Sequence, residues 1–190
     1  MLYKGLTIKI EQDTDADSPR EWDNLGTMVC FHKRYELGDK KHGYSSGDFS
    51  SWQDLEESIR SDHGQDTIIL PLYLYDHSGL TISTKPFSCP WDSGQVGFIF
   101  APIHVVKQEY VNAAMTPEEK EQAAEGVLRC EVETYNQFLQ GEVYGYTVED
   151  SNGNHLDSCW GFYGLTYCEE QAREAAEYCV KEQTKAICPL

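Results

Sequence analysis

Thr67-Ile68-Ile69-Leu70-Pro71-Leu72-Tyr73-Leu74-Tyr75 is a short, nearly continuous apolar run, β-branched at its start and closed by Asp76-His77-Ser78-Gly79. It reads as a buried strand entering a turn. Pro71 removes one ladder donor, which puts an edge or a bulge at that point. Downstream, Leu80 to Thr84 alternates, Phe87-Ser88-Cys89-Pro90-Trp91-Asp92-Ser93-Gly94-Gln95 forms a dense turn, and Val96–Ile103 supplies a return strand. Strands joined by turns rather than by helices argue for antiparallel pairing.

Working outward, Leu2–Ile10 alternates like a strand until Glu11-Gln12-Asp13-Thr14-Asp15-Ala16-Asp17-Ser18-Pro19 breaks the pattern. Thr27–His32 reads as a second strand, Gly38–Asp48 as a Gly- and Ser-rich excursion, and Trp52–Arg60 as a short helix capped by Ser50 or Ser51. His104–Tyr110 suits a helical turn. Thr116-Pro117-Glu118-Glu119 is a helix start, followed by an apolar stripe through Ala124, Val127, Leu128, Val132, Tyr135, Phe138 and Leu139 down to Gly141. Val143–Glu149 and His155–Phe162 flank an Asn152-Gly153 hairpin signal, and a last helix runs from about Cys168 to Lys185. The expected fold is α+β: one mainly antiparallel sheet of about six to seven strands, with two main helices packed on one face, in a single compact domain over 1–190.

The chain has 32 acidic against 15 basic residues and a formal net charge of −17. Residues 111–190 hold fifteen of the acids and five of the bases. Such a field repels phosphate backbones and anionic membranes and speeds encounter with basic surfaces, so direct nucleic-acid and membrane binding are disfavoured. With no apolar run long enough to span a bilayer and no basic-then-apolar leader at Met1, a soluble, unprocessed protein is expected. Seven cysteines at 30, 89, 130, 159, 168, 179 and 188, widely and irregularly spaced, suit free thiols in a cytosol.

Cys89 is the one candidate nucleophile, with His77 on the adjoining turn. A simple hairpin after Leu80 places the two at opposite ends of a strand, about four to five steps or roughly 13–17 Å apart. Packing of Cys89 under Trp91, with Asp92 capping the turn, is the alternative role. Asp13 to Asp17 resembles the start of a calcium loop but has Ser18 and Asn24 where glycine and glutamate are needed, and the late cysteines lack a Cys-x-x-Cys pair, so neither metals nor cofactors are expected. No phosphate-binding glycine loop is present. Trp22, Trp91 and Trp160 each stand beside a carboxylate and a glycine, the kind of aromatic anchor that binding surfaces use.

The strings Ser18-Pro19-Arg20-Glu21-Trp22-Asp23-Asn24-Leu25-Gly26-Thr27-Met28, Tyr75–Gly79, Cys89-Pro90-Trp91-Asp92-Ser93-Gly94-Gln95-Val96-Gly97-Phe98-Ile99 and Asp157-Ser158-Cys159-Trp160-Gly161-Phe162-Tyr163-Gly164 resemble those of a family of small proteins carried by bacteriophages, prophages and plasmids. The resemblance spans most of the chain and implies an accessory protein of a mobile element in a bacterial cytoplasm, similar in type to anti-CRISPR and anti-restriction inhibitors. The first functional expectation is therefore a non-enzymatic inhibitor. It would use Glu118, Glu119, Glu121, Glu125, Glu131 and Glu133 to meet the basic surface of a host nucleic-acid-binding defence protein, as a nucleic-acid mimic. A second reading is a binder of a nucleotide-like signal through Trp22, Asp76, His77, Trp91, Asp92 and Trp160. A third is a Cys89-dependent enzyme.

Overall fold

The computed structural model describes the backbone of residues 1–187 and the side chains of residues 1–183. Its elements are β1 (Leu2–Tyr3), β2 (Leu6–Gln12), β3 (Thr27–Cys30), α1 (Trp52–His63), β4 (Ile68–Asp76), β5 (Leu80–Ser83), β6 (Ser93–Ala101), α2 (Ile103–Glu109), α3 (Pro117–Leu139), β7 (Val143–Glu149), β8 (His155–Tyr163) and α4 (Leu165–Ile187). The α+β class is as expected, and the two main helices are joined by the short helix and the helical turn read from the sequence, but the strands form two separate antiparallel sheets of four rather than one of six or seven. Cys188 lies outside the described residues. Where a single unit was expected over 1–190, the contacts group Ser18–Asn136 into one compact unit and Met1–Asp17 with the segment from Gln137 onward into another.

In the Ser18–Asn136 unit the strand order is β3-β6-β4-β5. Val29, Phe98 and Phe100 pack against Leu55 and Ile59 of α1 on one face. Side chains alternate across a strand, so Ile99 points to the other face. There it meets Leu128 of α3 so closely that a Cβ on Gly26 would lie 2.4 Å from Leu128 Cδ2 and 2.9 Å from Ile99 Cδ1. This sheet is thus covered on both faces, not one, which is why β4 and β6 read as continuous apolar runs rather than alternating ones. Pro71 pairs with Phe98 on the β6 side of β4, beside a register shift at Leu72/Tyr73. On its other side β5 reaches only Tyr73–Asp76, so the missing donor at Pro71 leaves no ladder bond unmade there.

In the other unit the order is β1-β2-β7-β8, with α4 across one face. The expected first strand is split: Lys4 and Gly5 both take positive φ, 47° and 84°, and turn β1 back onto β2. Cys168, Ala172 and Ala176 recur every four residues along α4, and these small side chains let the helix settle close onto Leu6, Ile8, Tyr146 and Val148. The Asn152-Gly153 hairpin forms as read, Gly153 adopting φ 83° and Asp150 Oδ1 accepting from the backbone N–H of Asn152 and Asn154.

Candidate functional site

The turn Ser83–Ser93 and the end of β4 form one cluster, and its geometry corrects the hairpin assumption. β5 and β6 do not pair with each other; β4 lies between them. The connecting turn must therefore cross the end of β4, where Tyr75 pairs with Ser93 and the Asp76 N–H donates to the Asp92 carbonyl at 2.8 Å. His77 and Cys89 are consequently neighbours of one carboxylate rather than opposite ends of a strand. His77 Nδ1 lies 3.3 Å from Asp92 Oδ2, and Cys89 Sγ donates to the same oxygen over 3.7 Å. Ser93 Oγ donates to the Cys89 carbonyl, and Arg34 reaches across from the loop after β3 to pair with Asp76. The Tyr75 ring stands between, 5.9 Å from His77 and 5.6 Å from Phe87 by centroid.

This order of groups decides what the cluster can do. An activated thiol needs the imidazole against the sulfur, with the carboxylate behind the imidazole. Here the carboxylate stands between the other two, so the ring is held by Asp92 and the sulfur faces a negative oxygen. Among the described residues no group of three His, Cys, Asp or Glu side chains is arranged to hold a metal ion. Trp91, at the tip of the same turn, is 91% exposed, so Cys89 is not packed beneath a buried tryptophan.

The acidic helix divides its carboxylates among different tasks. Glu118, Glu121 and Glu133 are exposed. Glu119 closes a capping box: its Oε2 accepts from Thr116 N at 2.7 Å while its own N–H donates to Thr116 Oγ1 at 3.2 Å. Glu125 is paired with Arg129 one turn on, at 2.6 Å. Glu131 does not face outward. It accepts from Arg20 Nη1 at 2.9 Å and from the Leu25 N–H at 2.8 Å, and it belongs to a buried network. Arg20, only 3% exposed at its side chain, completes that network with Asp39 and the Gly26 carbonyl. Burial opposes its charge, and the hydrogen bonds and charges of Asp39 and Glu131 overcome this and hold the guanidinium pKa above its ordinary value. The Pro-Arg-Glu string is therefore a structural clasp; an arginine among turn residues gives no sequence signal of burial.

The remaining tryptophans are half exposed and belong to different units. Trp22 follows the short turn Pro19–Glu21, where Asn24 Nδ2 donates to its carbonyl. Trp160 lies flat over Gly145, so that a Cβ there would be 2.2 Å from Trp160 Cε3. Sequence reading also passed over a cleft of about 530 Å³ at the start of α4, lined by Glu142, Tyr144, Tyr163, Tyr167 and Glu170 among others. Its residues come from a hairpin and a helix start that only the β7–β8 pairing brings together.

No family model, curated protein or solved structure matches the chain. Among the described residues no helix is long and apolar enough to cross a membrane.

Proposed function

We propose that this chain is a non-enzymatic acidic binding protein that engages the basic, nucleic-acid-binding surface of a host defence protein and thereby inhibits it. The observation that carries the reading is the outward face of α3, where Glu118, Glu121 and Glu133 stand exposed with only Lys120 and the already paired Arg129 as cations on that helix. An unneutralised acidic face within a chain of net charge −17 raises encounter rates with a basic partner about tenfold or more, and salt screens the gain. The likeness to mobile-element accessory proteins supplies the setting, a bacterial cytoplasm. The arrangement at Asp92 supports binding over chemistry, because the sulfur and the imidazole meet the carboxylate instead of each other. It also speaks against a nucleotide ligand there, since a phosphate would face Asp76 and Asp92 with one arginine already committed to Asp76.

The test is E118K/E121K/E133K, which leaves the Glu119 cap and the Glu131 clasp intact. Expected is retention of basic nucleic-acid-binding proteins from a bacterial lysate by the wild type, displaced by added duplex DNA and by salt, and absent with the variant. Equal, DNA-insensitive retention by both proteins removes the proposal. Circular dichroism checks that α3 survives, since reversing Glu118 and Glu121 near the helix start costs about 0.3–1 kcal/mol each.

A further inference from the structure

From the cleft at the start of α4 we infer a second contact: a recess that takes a single guanidinium, the side chain of an arginine on the basic partner. The inference rests on the proposed function only for the identity of the occupant; the cation preference is a property of the cleft. Five of its lining residues carry the argument. Tyr144 comes from β7, Tyr163 from the end of β8, Tyr167 and Glu170 from the first turns of α4, and Glu142 from the turn before β7. Their approach is fixed by backbone: Gly164 at φ 89° joins β8 to α4, and its N–H donates to the Glu142 carbonyl at 2.9 Å.

Aromatic faces carry negative quadrupoles and attract cations, arginine above all, because its planar group can stack on a ring while its N–H fork meets a carboxylate. Two of the three rings are held. Tyr163 donates its hydroxyl to the Asp17 carbonyl at 2.6 Å, and Tyr167 sits edge-on to Phe162 with centroids 5.8 Å apart. The carboxylates are unspent: neither Glu142 nor Glu170 has a side-chain ion pair or hydrogen bond among the described residues, and both are exposed. The α4 N-terminus contributes about half a positive charge, which two full negative charges outweigh. An anionic ligand is therefore disfavoured, and a volume of about 530 Å³ leaves room for the aliphatic stem as well as the head group.

The test is a titration of the full-length chain with N-acetyl-arginine methylamide, followed by the aromatic proton and carbon resonances of Tyr144, Tyr163 and Tyr167. Expected is a saturable shift of all three with Kd of about 1 mM, the range of a single side chain. N-acetyl-citrulline methylamide, the neutral isostere, should produce at least tenfold weaker binding. E142Q/E170Q, at two exposed positions and with unchanged spectral dispersion elsewhere, should weaken the arginine amide about tenfold. The proposal fails if the amide gives no saturable shift, if citrulline matches it, if the double variant binds as wild type, or if spermidine binds more than tenfold tighter, which would make the occupant a free polyamine. Because no partner is present in the titration, failure here leaves the α3 reading standing, and equal, DNA-insensitive capture by the wild type and the α3 triple variant leaves the cation preference of the cleft standing.

Discussion

Arg20 grips Asp39 with two parallel hydrogen bonds, Nε to Oδ1 at 2.8 Å and Nη2 to Oδ2 at 3.0 Å. The same carboxylate accepts the Met28 N–H at 2.7 Å while the Asp39 N–H donates to the Met28 carbonyl at 2.8 Å. One guanidinium thus ties the loop after β3 to β3 itself, and through Glu131 to α3. Removing it strands two carboxylates in a buried setting, and broken buried pairs of this kind cost about 3–5 kcal/mol. R20M should lower the unfolding free energy by that amount, read as a lower urea midpoint with the slope unchanged. R20K keeps the charge but loses the fork, so it should fall between the two; an R20M midpoint equal to wild type would remove the structural role given to the Pro-Arg-Glu string.

The placement of Cys89 gives a chemical prediction. Its thiol donates to a carboxylate rather than to an imidazole, so the thiol–imidazole pairing of an activated nucleophile is not formed. Under brief treatment with iodoacetamide, mass spectrometry should find Cys89 labelled no faster than Cys130 and Cys159, which are exposed and serve as internal references. Labelling of Cys89 tenfold ahead of both, lost in H77A, would restore the nucleophile reading.

Local signals and pairing differ in how far sequence reveals them. The α3 start was legible because Thr116, Pro117 and Glu119 carry their cap within four residues, and the β7–β8 hairpin because Asn152-Gly153 encodes its own turn. The order β3-β6-β4-β5 was not, since no local residue says that β6 returns on the far side of β4. That one non-local fact misplaced His77 relative to Cys89. It also hid the double coverage of the sheet, because an apolar run looks the same whether one or two helices lie on it. Glu131 shows the same limit: its helical position matches that of a solvated glutamate, and only Arg20, far away in sequence, turns it inward.

Two tyrosines give a pH prediction with a defined sign. Burial, with Asp62 beside one ring and Asp157 beside the other, pushes the Tyr44 and Tyr146 hydroxyls up to about 12 from an ordinary 10.0. The folded chain thus holds these protons more tightly than the unfolded chain does. The stabilisation is complete below pH 10 and is lost as pH rises from there toward about 12. Phenolate absorbance during an alkaline titration should show a late step that Y44F and Y146F each reduce, and folding should weaken over that same interval. A late step untouched by both substitutions contradicts this.

Gly145 is a position where side-chain absence is itself the requirement. The Trp160 ring occupies the space a Cβ would need, with Cε3 at 2.2 Å and Cδ2 at 2.3 Å, and rings and backbone in a paired strand cannot yield by that much without the ring leaving. Pairing skips Gly145 between Tyr144↔Phe162 and Tyr146↔Cys159, so β8 bulges there, and the flat-lying ring covers the gap. G145A should therefore displace Trp160 into solvent and shift its fluorescence to the red, at a cost of about 1–3 kcal/mol from overpacking. W160A should be affected far less by a second change to G145A, since the obstacle is gone. If the two substitutions prove additive instead, the ring does not rest on Gly145, and the bulge must be held open by β8 alone.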